Sequence, residues 1–378
     1  MPSAQTSRRT RLIYATSTVT ADLFYVTGFF APDPFLFLEQ NGKRIVMLSD
    51  LELDRGRKQA RADEIVPLSS IQKPLEKKLK KKPTPEETVV AFLRKRRIRR
   101  AEVPADFPFG LATALAREGV QLSPIEGPFW PEREYKQKAE IEALERAIRL
   151  TEVGLIRAEE VLRAAEIRPG KRLVWGGQKL TSELLRAEID CAILRAGAAP
   201  TDTIVAGGDQ ACDPHDRGSG ELKANSLIII DIFPRDPQSG YYGDLTRTYV
   251  RGKASLAQKR LWETVRAGQE HALSSMKPDA VGKEIEDDVK KRFTDADFPT
   301  EQKDGRWTGF FHGLGHGLGL DIHESPRIAA ATLQSGQVFT VEPGLYYPGL
   351  GGVRIEDDGV VTESGFRVLS KHPKVLEL

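Results

Sequence analysis

Three of this chain's six histidines fall in one run, His312-Gly-Leu-Gly-His316-Gly-Leu-Gly-Leu-Asp-Ile-His323, and acids at the ends of apolar segments lie on both sides of it. Upstream stand Leu227-Ile-Ile-Ile-Asp231 and Gly243-Asp244-Leu-Thr-Arg-Thr248; downstream stand Val341-Glu342-Pro-Gly344 and Val353-Arg354-Ile-Glu356. Any fold for this chain has to reconcile these acids with their apolar flanks. A continuous apolar run reads as a strand buried on both faces, and an inward-facing charge there is costly unless something compensates it. One such Asp ordinarily serves a turn or cap. A whole set of them does not.

Asp231 and Asp244 come side by side if their strands are joined by a hairpin through Pro237, Ser239 and Gly240, with Thr246 and Thr248 on the face of Asp244. Two carboxylates that close repel unless a cation lies between them. In Gly352-Val-Arg-Ile-Glu356, period two turns Val353 and Ile355 to the core and sets Arg354 and Glu356 on the opposite face, where a salt bridge between them is the plainer alternative. One imidazole and four carboxylates suffice to hold two divalent cations. The glycines around His316 leave room for a substrate backbone. The pattern reads as a two-metal hydrolase site. His215 lies in a loop before the Asp231 strand; His271 and His372 read as surface residues.

Composition narrows the class. The chain has 378 residues, 40% hydrophobic and 29% charged, with a net charge of +2, which fits a packed globular protein of two domains or one large one. The near-balance of charge gives no argument for nucleic acid or membrane as partner. No apolar run approaches the ~20 residues of a spanning helix, and the polar, basic start from Met1 to Arg11 has no signal-peptide core. Cys191 and Cys212 stand in no metal or redox spacing, so the cytoplasm is the expected compartment.

Along the chain, strands are expected at Arg11–Ala15, Pro34–Leu38, Arg44–Leu48, Glu64–Pro67 and Arg100–Val103, with helices at Glu87–Arg96 and Gly110–Glu118. The lysine run Lys77–Lys82 and the basic stretch Arg94–Arg100 read as a solvated loop and helix face. Pro124, Gly127, Pro128 and Pro131 mark a boundary between domains of residues 1–130 and 131–378. The second begins with a long helix, Glu132 to about Ala165, whose Ile141, Leu144, Ile148 and Leu155 recur at helical spacing. Helices follow at Thr181–Leu194, Ala257–Met276 and Gly282–Phe293, interleaved with the acid-bearing strands. The expected class is α/β (α+β).

Taken together, Ile228-Ile-Ile-Asp231, Gly243-Asp244-Leu-Thr-Arg-Thr248, the His312–Glu324 run, Val341-Glu342-Pro-Gly-Leu-Tyr346 and Val353-Arg-Ile-Glu-Asp-Asp358 resemble the pita-bread metallopeptidases, in the branch of aminopeptidase P and prolidase. The resemblance covers nearly the whole chain. Phe24-Tyr-Val-Thr-Gly-Phe29 and Asp50-Leu-Glu-Leu-Asp54 are similar to the smaller N-terminal creatinase-like domain of that branch. The resemblance implies a dinuclear centre of Mn²⁺ or Co²⁺, with Zn²⁺ as a third candidate, held by Asp231, Asp244, His316, Glu342 and Glu356, with Asp244 and Glu356 bridging. It implies Glu342 as general base as well as ligand. His215, His312 and His323 would hold substrate and stabilise the tetrahedral intermediate, supported by Arg354 and Tyr346. The implied reaction is removal of an N-terminal residue from a following proline by a cytoplasmic homodimer.

Proline's imide has no N–H, so its pocket can be apolar; Phe310, Phe311, Tyr346 and Tyr347 are the candidate lining. The segment between Asp231 and Asp244 is two residues longer than is usual in the family, and Asp231-Ile-Phe-Pro-Arg235 replaces the common Asp-Ala-Gly. Arg235 on this hairpin is a candidate cation for a dipeptide's carboxylate. Aminopeptidase and dipeptidase both stay open, with aminopeptidase slightly preferred. The alternatives are a methionine aminopeptidase-like enzyme, disfavoured by the extra N-terminal domain and by His312, and a non-catalytic peptide-binding relative, expected to have lost ligands.

Overall fold

The computed structural model describes residues 9–378; Met1 to Ser7 and Arg8, most of the polar start, lie outside it. The chain divides into two compact units, Met1–Pro131 and Glu132–Leu378.

The first unit is built on a six-stranded mixed sheet: β1 (Thr10–Ala15), β2 (Phe35–Gln40), β3 (Lys43–Leu48), β4 (Glu64–Pro67), β5 (Arg100–Pro104) and β6 (Gln121–Ile125), in the order β4-β3-β2-β1-β5-β6. Period two explains its two cores. Leu12, Leu36, Leu38, Ile45 and Met47 pack on one face with Phe92 and Leu93. Ile13, Phe35, Phe37, Val46 and Leu48 pack on the other with Phe29 and Trp130. The central strands are apolar on both faces because both faces are covered. The helices are α1 (Ala21–Thr27), α2 (Leu53–Gln59), α3 (Ser69–Leu79), α4 (Pro85–Lys95) and α5 (Phe109–Arg117). The first three were not expected, and Lys77 and Lys78 prove to end α3 rather than sit in a loop. A reciprocal cap starts α4: Thr84 Oγ1 accepts from Glu87 N, and the Glu87 carboxylate accepts from Thr84 N.

In the second unit α6 (Lys138–Ala164) runs 27 residues and buries Leu144, Ala147, Ile148, Thr151, Leu155 and Leu162 along one stripe. It packs on α7 (Ser182–Arg195). Small antiparallel pieces β7 (Glu166–Arg168), β8 (Arg172–Trp175) and β9 (Gln178–Lys179) lie between them in sequence. A three-stranded sheet then forms from β10 (Ile204–Gly207), β11 (Ile228–Ile232) and β12 (Leu245–Tyr249). α8 (Leu256–Ser275) and α9 (Gly282–Asp295) follow, then a hairpin of β13 (Glu301–Lys303) and β14 (Arg306–Thr308).

The last strands are β15 (His316–Gly317), β16 (Glu324–Arg327), β17 (Val338–Val341), β18 (Gly344–Tyr347), β19 (Gly351–Arg354), β20 (Asp357–Thr362) and β21 (Gly365–Val368). They pair as a five-stranded sheet, β16-β15-β17-β20-β21, and a ribbon, β18-β19. Trp262, Val265, Phe293, Phe310, Phe339, Val341, Val353 and Ile355 form one continuous core between α8, α9 and these strands. His372 is not a surface residue. Its Nε2 sits 2.9 Å from Glu159 Oε1 and 3.1 Å from the Tyr249 hydroxyl, because the C-terminal segment folds back over β12. His271 is half-buried, 3.6 Å from Asp288.

Candidate metal centre

β11 and β12 pair antiparallel with Asp231 opposite Thr246 and Ile232 opposite Leu245, so Asp244 emerges one residue beyond the ladder, on the hairpin that joins the two strands. Gly243 lets this hairpin press on α6: a Cβ there would lie 2.6 Å from the Ile148 nitrogen. β15 brings His316 against β17, and Glu342 follows directly after β17; Glu356 sits between the end of β19 and the start of β20. Two sheets thus deliver their acids to one place.

A cavity of about 420 Å³ is lined by Asp231, Asp244, His316, Glu342 and Glu356, and also by His215, His312, His323 and Arg354. Of the residues assigned to the site by the sequence, only Tyr346 stands behind this wall. Ligand atoms of Asp244, His316 and Glu356 lie within 4.8 Å of one another, all three residues buried. His316 Nδ1 donates to the Gly317 carbonyl at 3.1 Å, which leaves Nε2 deprotonated and aimed at Glu342 Oε1 at 3.3 Å and Asp244 Oδ2 at 3.8 Å. A metal-binding imidazole needs this tautomer. Burial, reinforced by His323, holds the His316 pKa down at about 3, so it offers a lone pair rather than a cation to these acids.

Apart from Asp231, whose Oδ2 is met by Arg354, the carboxylates have no cation of their own within ion-pair distance among the described residues. Asp231 Oδ1, Glu356 Oε1 and Asp358 Oδ1 are buried with no hydrogen-bond partner among the described residues. Burial first, and the neighbouring acids second, raise Asp244 and Glu356 well above the ordinary carboxylate range. Burial likewise pushes Glu342 up to about 7, against the pull of Arg354. Orphaned oxygens and mutually repelling acids around a neutral imidazole are what a divalent-cation site looks like without its ion, so the donor set fits the metal that the sequence implies.

Arg354 organises the wall behind. Its Nη2 donates to Asp231 Oδ2 at 2.8 Å, its Nε to Thr246 Oγ1 at 3.2 Å and its Nη1 to the Tyr346 hydroxyl at 3.0 Å. Thr246 in turn donates to Glu356 Oε2 at 2.7 Å. The Tyr346 hydroxyl donates to His312 Nε2 at 2.9 Å, while His312 Nδ1 donates to the Gly313 carbonyl at 2.9 Å. Burial, with Arg354 behind it, holds His312 neutral at about 3. The partner of Arg354 is therefore Asp231 and not Glu356. The alternation itself holds: Val353 and Ile355 turn to the core while Arg354 and Glu356 both line the cavity and meet at the Thr246 hydroxyl.

His323 is exposed at the cavity, its ring 4.4 Å from that of His316 and edge-on to it. His215 is exposed on the opposite loop. Of the four aromatics expected to line an apolar pocket, Phe311 does so. Phe310 packs against Phe293 in the core, Tyr346 is buried, and Tyr347 donates its hydroxyl to the Pro299 carbonyl. Ile204, Pro214, Phe233 and Ile322 supply apolar wall that the sequence reading missed. Arg235 is turned onto its own hairpin, donating to the Gly240 carbonyl at 3.0 Å and lying over Tyr242. Its neighbour Asp236 is buried against Arg146 and Ser239. Of the two arginines that line the cavity, Arg354 is paired with Asp231, and the exposed one is Arg327 at the end of β16, opposite His316 in register. Asp358, whose Oδ2 accepts from Asp244 N at 3.0 Å, was also missed.

Among known proteins, an Xaa-Pro dipeptidase from Pyrococcus furiosus is 33% identical over 250 residues, 64% of this chain and 64% of that one. A second Xaa-Pro dipeptidase, from Lactobacillus delbrueckii, is 35% identical over 181 residues, so the chain spans 64% and 46% of the lengths of these two relatives. A putative dipeptidase YkvY from Bacillus subtilis is 29% identical over 372 residues, 94% of this chain and 92% of that one. The fold superposes on an X-Pro aminopeptidase from Thermotoga maritima with a TM-score of 0.81, at 22% identity over 98% and 97% of the two chains. It superposes on a prolidase from Pyrococcus furiosus with a TM-score of 0.78, at 23% identity over 97% of each. The arrangement is thus the pita-bread fold with a smaller α/β domain before it. Residues 142–363, which carry every proposed ligand, match the model of metallopeptidase family M24, and the chain belongs to that family.

Proposed function

We propose that this protein is a dinuclear metallo-exopeptidase that hydrolyses the bond between an N-terminal residue and a following proline, and that it acts on dipeptides. The observation that carries the metal reading is the set of uncompensated buried acids around the Nε2 of His316. Asp231, Asp244, His316, Glu342 and Glu356 are the assigned ligands, and the two ions are Mn²⁺ or Co²⁺, with Zn²⁺ less suited to so oxygen-rich a set. Bound there, the ions would supply Lewis acidity and a water acidic enough to attack at neutral pH.

The chain's own groups do the rest. Glu342 takes the proton of the attacking water and hands it to the leaving imide nitrogen. His323 donates an N–H to the oxyanion that develops on the scissile carbonyl. His312 and His215 hold the substrate from the other side, with the Arg354–Tyr346 chain fixing the tautomer of His312. The apolar wall of Phe311, Phe233 and Ile204 takes side chains that need no donor.

Peptide length turns on Arg327. A dipeptide ends in a carboxylate one residue from the scissile bond, and an exposed guanidinium facing the cavity is the group to receive it. Continuing the chain leaves that cation unpaired. This favours dipeptidase over the aminopeptidase reading, as do the names of the three sequence relatives above, while the fold superposes equally well on an X-Pro aminopeptidase. Residues 1–130 are assigned as the creatinase-like domain and 131–378 as the catalytic one, in a cytoplasmic homodimer. Xaa-Pro, Xaa-Pro-Xaa and Xaa-Ala with one first residue, assayed with Mn²⁺ or Co²⁺, test the reading. We expect kcat/KM at least about tenfold higher for the dipeptide, some 1.4 kcal/mol, with that advantage lost in Arg327→Met. Equal rates on Xaa-Ala would remove the proline preference, and full activity of protein shown metal-free by elemental analysis would remove the metal reading.

A further inference from the structure

We infer that Glu324 is a positioning residue: its buried carboxylate clamps the Gly317–His323 loop and so fixes where His323 meets the substrate. The inference rests on the reading of His323 given above. The segment holds Gly317 and Gly319 among its seven residues, and beyond Gly317, which ends β15, residues 318–323 form no ladder before β16. Such a segment is loose unless something holds it.

Glu324, next in sequence to His323, gathers four donors. Its Oε1 accepts from the backbone nitrogens of Leu320 at 2.8 Å and Asp321 at 3.1 Å, and from Arg133; its Oε2 accepts from Lys136 Nζ at 2.9 Å. Both ends of the Lys136–Glu324 pair are buried, the side chains 2% and 6% exposed. Arg133 also holds Asp321, at 2.8 Å. The Tyr242 nitrogen donates to the Gly319 carbonyl at 2.9 Å, tying the loop to the hairpin that carries Asp244. Glycine is required at 319 by space alone, since a Cβ there would lie 2.6 to 2.7 Å from the atoms of the Glu324 carboxyl group.

A buried carboxylate that accepts two loop amides and two cations fixes the path of the chain into His323 to a degree that packing of glycines cannot. An oxyanion donor is effective only when held in place before the charge develops. Glu324 touches no substrate in this scheme and acts through its neighbour.

Glu324→Gln keeps the shape and removes the charge. In the Mn²⁺-loaded enzyme we expect it to lower kcat about tenfold or more with little change in KM or in bound metal. Deuterium exchange of the 317–323 segment should quicken. In a His323→Ala background, already lowered roughly 10²-fold, the same change should cost less than about threefold, because the group it positions is gone. Gly319→Ala, which displaces the carboxylate while retaining it, should show the same dependence on background, and it carries the test if the Gln variant folds poorly. An equal loss in both backgrounds, or unchanged exchange of the loop, overturns the inference while leaving the role of His323 intact. A silent His323→Ala overturns that role and the inference with it.

Discussion

Asp357 sits between Glu356 and Asp358, all three buried, yet the two sides of this short stretch are treated oppositely. Asp357 points away from the cavity. It is met by Arg247 Nη2 at 2.8 Å, Lys374 Nζ at 2.8 Å, the Ser370 hydroxyl at 2.7 Å and Gln269 Nε2 at 3.2 Å. Although burial opposes its ionisation, these cations and donors hold its pKa below the ordinary value. Glu356 lines the cavity and Asp358 lies behind it against the Asp244 nitrogen, each with an orphaned oxygen, and burial raises both. Glu324 belongs with Asp357: buried, four donors, pKa lowered despite its burial. An acid that the protein neutralises for itself is scaffolding. An acid that it leaves uncompensated at equal depth is kept for an ion from outside.

The largest effect should come from the uncompensated side. Asp244→Asn and Glu356→Gln each remove charge that both ions are proposed to share. We expect loss of bound metal by elemental analysis and a fall in kcat/KM of ~10³-fold or more, over 4 kcal/mol. The metal-free variants should be no less stable at pH 8 than the metal-free parent, since an acid held above its ordinary pKa by burial destabilises its own ionised form. A variant that keeps both metal and activity would break the contrast between the two sides.

Much of this contrast was legible in the sequence, because acids set into strands declare themselves against their apolar flanks. Asp231, Asp244, Glu342 and Glu356 stood out for that reason, and His316 by the glycines around it. Asp358 carries the same signal, two residues beyond Glu356 at strand period, and the sequence reading missed it. Arg327 was not legible: its place depends on the register of β16 against β15, which a local pattern does not encode. Nor was His372, whose burial depends on a C-terminal segment returning to Tyr249 and Glu159 from more than a hundred residues away. In the first unit the strands showed through their alternation. The seven-residue helices α1 and α2, and α3 with Pro74 and its lysines, are too short or too polar to leave a periodic trace.

The compensated side can be broken from the cation. Arg247 is 1% exposed; besides Asp357 it donates to the carbonyls of Thr246 at 3.0 Å, His372 at 2.7 Å, Pro373 at 3.2 Å and Glu356. Arg247→Met leaves Asp357 buried with a smaller share of its partners and frees four carbonyls. Breaking one side of a buried pair typically costs about 3–5 kcal/mol, read as a lower urea midpoint at unchanged slope. The loss should appear with and without metal. A midpoint within error of the parent would show that Lys374 alone compensates Asp357.

The smallest effect distinguishes the two sides by pH. A carboxyl whose folded pKa is raised contributes stability that is complete below its unfolded pKa, near 4.3, and is lost as pH rises through the folded value. For Glu342 that value is about 7. Without metal, Glu342 alone should then cost the fold about 1 kcal/mol between pH 6 and 8, since each unit of pH in which only the folded state holds the proton is worth 1.36 kcal/mol. For the unit Glu132–Leu378 that is a fall in Tm of ~2–4 °C. His312 and His316, held down at about 3 by burial, act in the opposite sense. Their contribution fades as pH falls from about 6.5 toward 3 and is still growing between pH 6 and 8 by a comparable amount. The Glu342 term is therefore read from the difference between the parent and Glu342→Gln, in which the histidine contribution is common. Bound metal replaces the proton and removes the cost. The rise in Tm on adding Mn²⁺ should therefore be larger at pH 8 than at pH 6, and between pH 6 and pH 8 the Tm of chelated Glu342→Gln should gain on that of the chelated parent. Asp357 and Glu324, with lowered values, contribute stability that is already complete at pH 6. If the chelated parent and chelated Glu342→Gln change in stability by the same amount between pH 6 and pH 8, the acids facing the cavity are compensated from within after all, and the two sides of the Glu356–Asp358 stretch do not differ in kind.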